Sequence, residues 1–297
     1  MYSLCCISSS LANDGYKFQT MTWHRFSQLG RDEAMSILSA RTLNNIRVTY
    51  KILSQCADNG WAYRVSSSLF PLLTYDVADL KLTDYPDYID IIAALTDCES
   101  IARDKGVRIS CHPDQFNVLA SEGEHNVIKT IKELNHQGWL MDMLGAHRDY
   151  RSPINIHVNN TKGEPSEIAA RFMDNLFCCD DSVRSRLVVE NEDKGIWTPK
   201  LLAQHFGIPI TYDNLHHKCL PDGLSQSQAF KLCYQTWMHN AYCKPLFHYS
   251  ESHPDKPNPR SHADMPSELP YEGFCMPVDY DVELKSKDVA IEAFASL

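Results

Sequence analysis

Six short apolar segments of this chain run into a histidine, an aspartate or a glutamate. Residues 108–111 lead to His112, and residues 154–158 carry His157. Residues 187–190 end on Glu190, with Asn191 next. Residues 208–212 lead to Asp213, followed closely by His216 and His217. Residues 246–249 carry His248, and residues 282–284 carry Glu283, while His262 lies in the loop between these last two segments. Imidazole and carboxylate are the donors of zinc, manganese and magnesium sites. The same groups are rarely buried without a partner, so packing does not explain their recurrence at the ends of apolar runs. Taken singly, each has an ordinary reading: a strand-end histidine is commonly structural, Glu190 could cap a helix, and His216–His217 could be an exposed pair. Taken together they amount to about eight ligand-type side chains, enough for two or three divalent ions.

These residues act together only if the elements carrying them converge. The hydrophobic pattern predicts strands at 4–8, 62–66, 108–111, 154–158, 187–190, 208–212, 246–249 and 282–284. Helical periodicity falls between them at 31–59, 85–105, 126–144, 166–176, 199–205 and 225–238. Thr198 before Pro199 is a helix start, and Gly60, Gly106 and Gly207 sit where left-handed helix ends are wanted. Eight strands alternating with helices predict a closed parallel TIM (β/α)8 barrel, with a doubly wound open sheet as the runner-up. Residues 1–297 are expected to form a single domain. In such a barrel all strand C-termini open onto one face, which would gather the ligand set at one mouth. Residues 253–280, rich in Pro, Asp and Ser, are expected to form a long loop over that mouth.

Composition narrows the class. The chain has 297 residues, 43% hydrophobic, with no apolar run long enough to span a membrane and no signal-peptide pattern in residues 1–10. Its eleven cysteines include adjacent pairs but no CxxC. That is neither a disulfide framework nor a zinc ribbon, so reduced thiols and a cytoplasmic location are expected. The formal net charge of −10 argues against a nucleic-acid coat protein. It does not argue against a metallonuclease, whose ligand carboxylates are counted in that sum.

The segments RVSSSLFP, ISCHPDQF, INIHVNN, LVVENED, ITYDNLHHKCLPDG, FHYSESHP and RSHAD resemble, in order and spacing, the UV damage endonucleases. That family is related to endonuclease IV and the xylose-isomerase-like barrels. The resemblance covers roughly residues 40–285 and implies a TIM barrel that uses a cluster of divalent ions to nick DNA 5′ to ultraviolet photoproducts and, more weakly, at abasic sites. Manganese is the ion it implies first, though zinc and magnesium suit the same donors. It further implies His112, His157 and Glu190 around one ion, and Glu190, Asp213, His248 and Glu283 around a second. His216 and His262 would serve a third. Glu190, His112, His157, Asp213 and Glu283 would form the catalytic centre. Gln115 would probe the base opposite the lesion with Phe116 beside it, and Arg64, Tyr75, Asn159 and Asn191 would line the DNA side.

The partner implied is damaged double-stranded DNA. No membrane and no obligate protein partner are expected. Basic residues Arg64, Lys162, Lys218, Lys256 and Arg260 should ring the metal mouth of a nuclease. Five positions depart from the family pattern. Phe116 replaces a tyrosine, Cys5–Cys6 stands for Gly-Tyr, Tyr75 for a histidine, and Leu246 for a lysine modified in some members. The competing expectation is a metal-dependent sugar isomerase or epimerase on the same barrel, which needs a closed pocket for a small polyol and a proton-moving side chain.

Overall fold

The computed structural model describes residues 1–240, 243–270 and 276–297. Its eight strands are β1 (Tyr2–Cys5), β2 (Ala62–Val65), β3 (Ile109–Cys111), β4 (Ile154–Ile156), β5 (Leu187–Glu190), β6 (Ile210–Thr211), β7 (Leu246–Tyr249) and β8 (Asp279–Val282). All neighbours are parallel, in the order β6-β5-β4-β3-β2-β1-β8-β7. The outer two meet through a single bridge, Asp213 to His248, where the His248 N–H donates to the Tyr212 carbonyl at 2.9 Å. The sheet thus comes round on itself as a TIM barrel, and the open-sheet alternative falls. The seam carries two of the expected ligands.

Helices Arg31–Asn59 and Pro199–His205 have the predicted bounds. Thr198 accepts the Leu201 N–H, as its place before Pro199 suggests. Gly60 and Gly106 end their helices in the left-handed conformation, with φ of 66° and 65°. Gly207 does not: the chain leaves helix Pro199–His205 through an extended Phe206, φ −114°. The helix expected from residue 85 begins at Tyr88, because Pro86 forces Tyr85 out of helical geometry.

Two strands slide toward the N-terminus relative to expectation. β1 stops at Cys5: Cys6 takes a φ of 68°, and Ser8 accepts the Leu11 N–H as the cap of helix Ser9–Asn13. β8 spans Asp279–Val282 instead of 282–284. Its alternation of carboxylate and apolar side chains does not read as a buried strand, yet all four residues are buried. Part of the expected long loop, 271–275, lies outside the described residues. Among the described residues no helix is long and apolar enough to cross a membrane.

Side chains alternate along each strand, so one set packs under the helices and the other fills the barrel. Ile109, Ile154, Ile156, Val189, Phe247 and Val282 belong to the apolar core. The interior set is polar in this chain. The parallel register aligns Cys5 with Arg64 and Arg64 with Ser110, and it aligns Ser3 with Asp281 and Asp281 with His248. Interior layers of such barrels are ordinarily branched and apolar.

Candidate metal centre

Glu190, the last residue of β5, stands at the middle of the mouth with 0% exposure. Its two oxygens face different histidines. Oε2 lies 3.2 Å from His112 Nε2 and 3.8 Å from His157 Nε2. Oε1 lies 3.1 Å from His216 Nδ1 and 3.1 Å from His248 Nδ1. Around the second group, His248 Nδ1 is 4.0 Å from Asp213 Oδ2 and 3.4 Å from Glu283 Oε1. Among the described residues, donor atoms come within 4.8 Å of one another in three sets: His112, His157 and Glu190; Glu190, Asp213 and His248; and His112, His248 and Glu283. Side chains from six strand ends therefore meet in one place.

Glu190 Oε1, Asp213 Oδ2 and His248 Nδ1 are buried and make no hydrogen bond among the described residues. The three residues that carry them form one of the three sets. Buried polar atoms are normally satisfied, and converging unsatisfied donors fit a cation. His112, His216 and His262 are held as ligands are. Each directs Nδ1 at a backbone carbonyl, that of Pro113 at 3.1 Å, Asn191 at 2.9 Å and Glu283 at 2.8 Å. Fixing the proton on Nδ1 leaves Nε2 as the ligand atom.

Electrostatics follow the crowding. Burial works against the charged form of Glu190, but His248 and His157 outweigh it and hold its carboxyl well below the usual range. Burial likewise disfavours imidazolium at His248, yet Glu190 and Glu283 push its pKa well above the ordinary value. Burial lowers His157 to about 4. Burial raises the Asp213 carboxyl, with His216 opposing and Glu190 and Glu283 reinforcing. In Glu192, beside the centre, burial raises the pKa to about 7 although the carboxylate accepts the Asn159 N–H at 2.6 Å.

His262 approaches Glu283 Oε2 at 3.9 Å but joins none of the three donor sets. His217 turns away from the mouth toward Tyr212 and Asp222. Asn191 is buried and exchanges two hydrogen bonds with the Asp213 backbone, fixing the end of β6. Gln115 and Phe116 stand exposed on the loop after β3, and Asn159 Nδ2 donates to the Gln115 carbonyl at 2.9 Å. Phe116, Tyr75, Asn159 and Lys162 line a cleft of about 1050 Å³ beside the centre. Lys162, Lys218, Lys256 and Arg260 are exposed. Arg64 is not part of such a rim: its guanidinium is buried, in a short contact with Glu283 and 3.8 Å from Asp281. It faces the ligands from below and is out of reach of a phosphate backbone.

Sequence reasoning missed two interior residues. Asn155 donates to Glu190 Oε2 in a short contact and lies 3.4 Å from His248 Nε2. Asp281, 1% exposed, lies 3.5 Å from the same nitrogen. The signal for Asp281 was the spacing of Asp279, Asp281 and Glu283, three carboxylates two apart on one strand face.

Comparison with known proteins agrees with this architecture. A family model described as UV-endonuclease UvdE matches residues 2–296. UV DNA damage endonucleases of Bacillus cereus (strain Q1) and Bacillus velezensis are each 28% identical to this chain. The matches cover 93% and 94% of this chain and 87% and 88% of theirs. The crystal structure of SacUVDE superposes with a TM-score of 0.81 at 27% identity, covering 99% of this chain and 98% of that one. Endonuclease IV from Thermus thermophilus, with a TM-score of 0.56 at 14% identity over 84% of this chain and 93% of its own, shares the fold.

Proposed function

The chain belongs to the UV-endonuclease UvdE family, and from that premise we propose that it is a metal-dependent endonuclease that hydrolyses a phosphodiester 5′ to ultraviolet photoproducts or abasic sites in duplex DNA. The observation that carries the metal dependence is the set of unsatisfied donors on Glu190, Asp213 and His248 at the barrel mouth. Two or three divalent ions are the cofactor, manganese first, with zinc or magnesium suited to the same donors. Bound there, divalent ions supply Lewis acidity and bring the pKa of water near neutrality.

The chain's own residues do the rest. Glu190 would hold ions on both sides, since one of its oxygens faces His112 and His157 and the other faces His216 and His248. Asp213 and Glu283 would complete the second group, and His216 and His262 would serve a third. Asn191 keeps Asp213 in place through its backbone. Damaged pairs stack poorly, so extruding them costs less than extruding intact ones. Phe116 and Gln115 fill the gap left in the duplex. Exposed Lys162, Lys218, Lys256 and Arg260 meet the phosphates. A cytoplasmic location is part of this proposal.

Phe116, Tyr75 and Cys6 depart from the family pattern on the substrate side, and we assign them a shifted lesion range; Leu246, a further departure, is instead buried at the start of β7 in register with Asp279, away from the mouth. A tyrosine at 116 could donate a hydrogen bond that phenylalanine cannot. The sugar isomerase reading rests on the barrel alone. The test is incubation of the Mn²⁺-loaded protein with UV-irradiated, abasic and undamaged duplexes. A single nick 5′ to the damage, absent from the undamaged control, is expected. Intact damaged duplexes of both kinds in the presence of bound metal would reject the reading.

A further inference from the structure

His248 is built differently from three other histidines of the centre. His112, His216 and His262 fix their protons by pointing Nδ1 at a backbone carbonyl. His248 points Nδ1 into the centre, toward Glu190, Asp213 and Glu283, and turns Nε2 down into the barrel. What meets Nε2 there is side chain. Asp281 Oδ2 lies at 3.5 Å, and the Asn155 amide nitrogen at 3.4 Å.

Only one of these can fix a proton on Nε2. Asn155 Nδ2 is a donor already committed to Glu190, whereas a carboxylate is an acceptor. Asp281 is moreover the residue in register with His248 across the β7–β8 pair. It is 1% exposed, in a barrel layer that is ordinarily apolar, and its Oδ1 has no hydrogen-bond partner among the described residues. Ser110 Oγ at 3.5 Å and Arg64 Nη1 at 3.8 Å steady it. A carboxylate kept so deep is costly to bury, and packing does not account for it.

We propose that Asp281 is a positioning residue for the metal centre: it holds the proton of His248 on Nε2, so that Nδ1 is the atom His248 presents as a ligand. The inference rests on the metal-binding reading of the centre. It adds a carboxylate–histidine–metal relay, in which the outer carboxylate sets ring orientation and ligand basicity.

Two measurements test it. The first is Mn²⁺ affinity by equilibrium dialysis for the wild-type chain and for Asp281→Ala, with the KM for damaged duplex measured alongside. Affinity is expected to fall by about 10- to 100-fold while KM for DNA holds, as expected of a residue outside the ligand shell. Wild-type affinity in the variant would overturn the inference alone, whereas a wild-type chain that binds no divalent ion would overturn the metal reading and the inference with it. The second needs no variant and stands even if Asp281→Ala fails to fold. Nitrogen NMR of the histidine-labelled, Zn²⁺-loaded protein should show His248 protonated at Nε2 and ligated through Nδ1. The reverse assignment would overturn the proposal.

Discussion

Glu190 Oε1 and His248 Nδ1 face each other at 3.1 Å, both buried, and make no hydrogen bond. With Asp213 they form a group whose donor atoms lie within 4.8 Å of one another. A pair so close and so poorly bonded is a poor structural contact and a good half of a cation site.

Glu190→Gln keeps the shape of the side chain and removes the charge shared by both histidine pairs. Nicking of damaged duplex should fall by more than ~100-fold, a larger effect than expected for an outer-shell change. Circular dichroism and Tm should stay near wild type. Full turnover in the variant would refute the bridging role.

Divalent ions should stabilise the fold. An ion that binds only the native chain adds about 2.7 kcal/mol at a hundredfold excess over its Kd. Scanning calorimetry with and without Mn²⁺ should therefore show Tm rising by several degrees, and Glu190→Gln should lose most of that rise. An equal Tm in chelator and in saturating Mn²⁺ would contradict the site.

Phe116 is 79% exposed at the tip of its loop, so its ring contributes little to the fold. Phe116→Ala should leave Tm unchanged and weaken binding of damaged duplex. Loss of one base-stacking contact is worth about 1–3 kcal/mol, roughly 5- to 150-fold in Kd. Phe116→Tyr adds a hydroxyl that can donate a hydrogen bond and should change the ratio of cleavage between photoproduct and abasic substrates. Unaltered binding in Phe116→Ala would remove the residue from the DNA interface.

At the opposite end of the barrel, Asp279 is buried between Arg108 at 2.7 Å and Lys244 at 2.5 Å. Burial opposes its ionisation, but Lys244 and Arg108 outweigh that, and its pKa lies below the ordinary 3.8. A depressed carboxylate adds stability that is present above the unfolded value and is lost as pH falls through the folded one. Asp279→Asn should cost about 3 kcal/mol at pH 7, as expected for breaking a buried pair. The Tm gap from wild type should close below about pH 4. A gap constant from pH 7 to pH 3 would contradict the charge account.

Much of the centre was legible because barrel geometry turns strand ends into neighbours. His112, His157, Glu190, Asp213, His248 and Glu283 follow apolar runs, and any parallel barrel brings such ends together. The helix at Thr198–Pro199 was legible because capping is local chemistry. Contacts set by cross-strand register were not. Arg64 reads as a basic residue on a strand, and only its partners Glu283 and Asp281 on and just after β8 show that it points inward. β8 itself was misplaced because a strand whose interior side chains are Asp279 and Asp281 lacks the apolar signature of a buried strand. Ser8 belonged to a helix cap, which neither hydrophobicity nor β propensity reports.

The most direct test is anomalous diffraction at the manganese edge from crystals soaked in Mn²⁺. Peaks are expected at the barrel mouth, two of them about 4 Å apart and bridged by Glu190, one beside His112 and His157 and the other beside Asp213 and His248. An empty mouth at saturating Mn²⁺, with the side chains placed as described, would contradict the account.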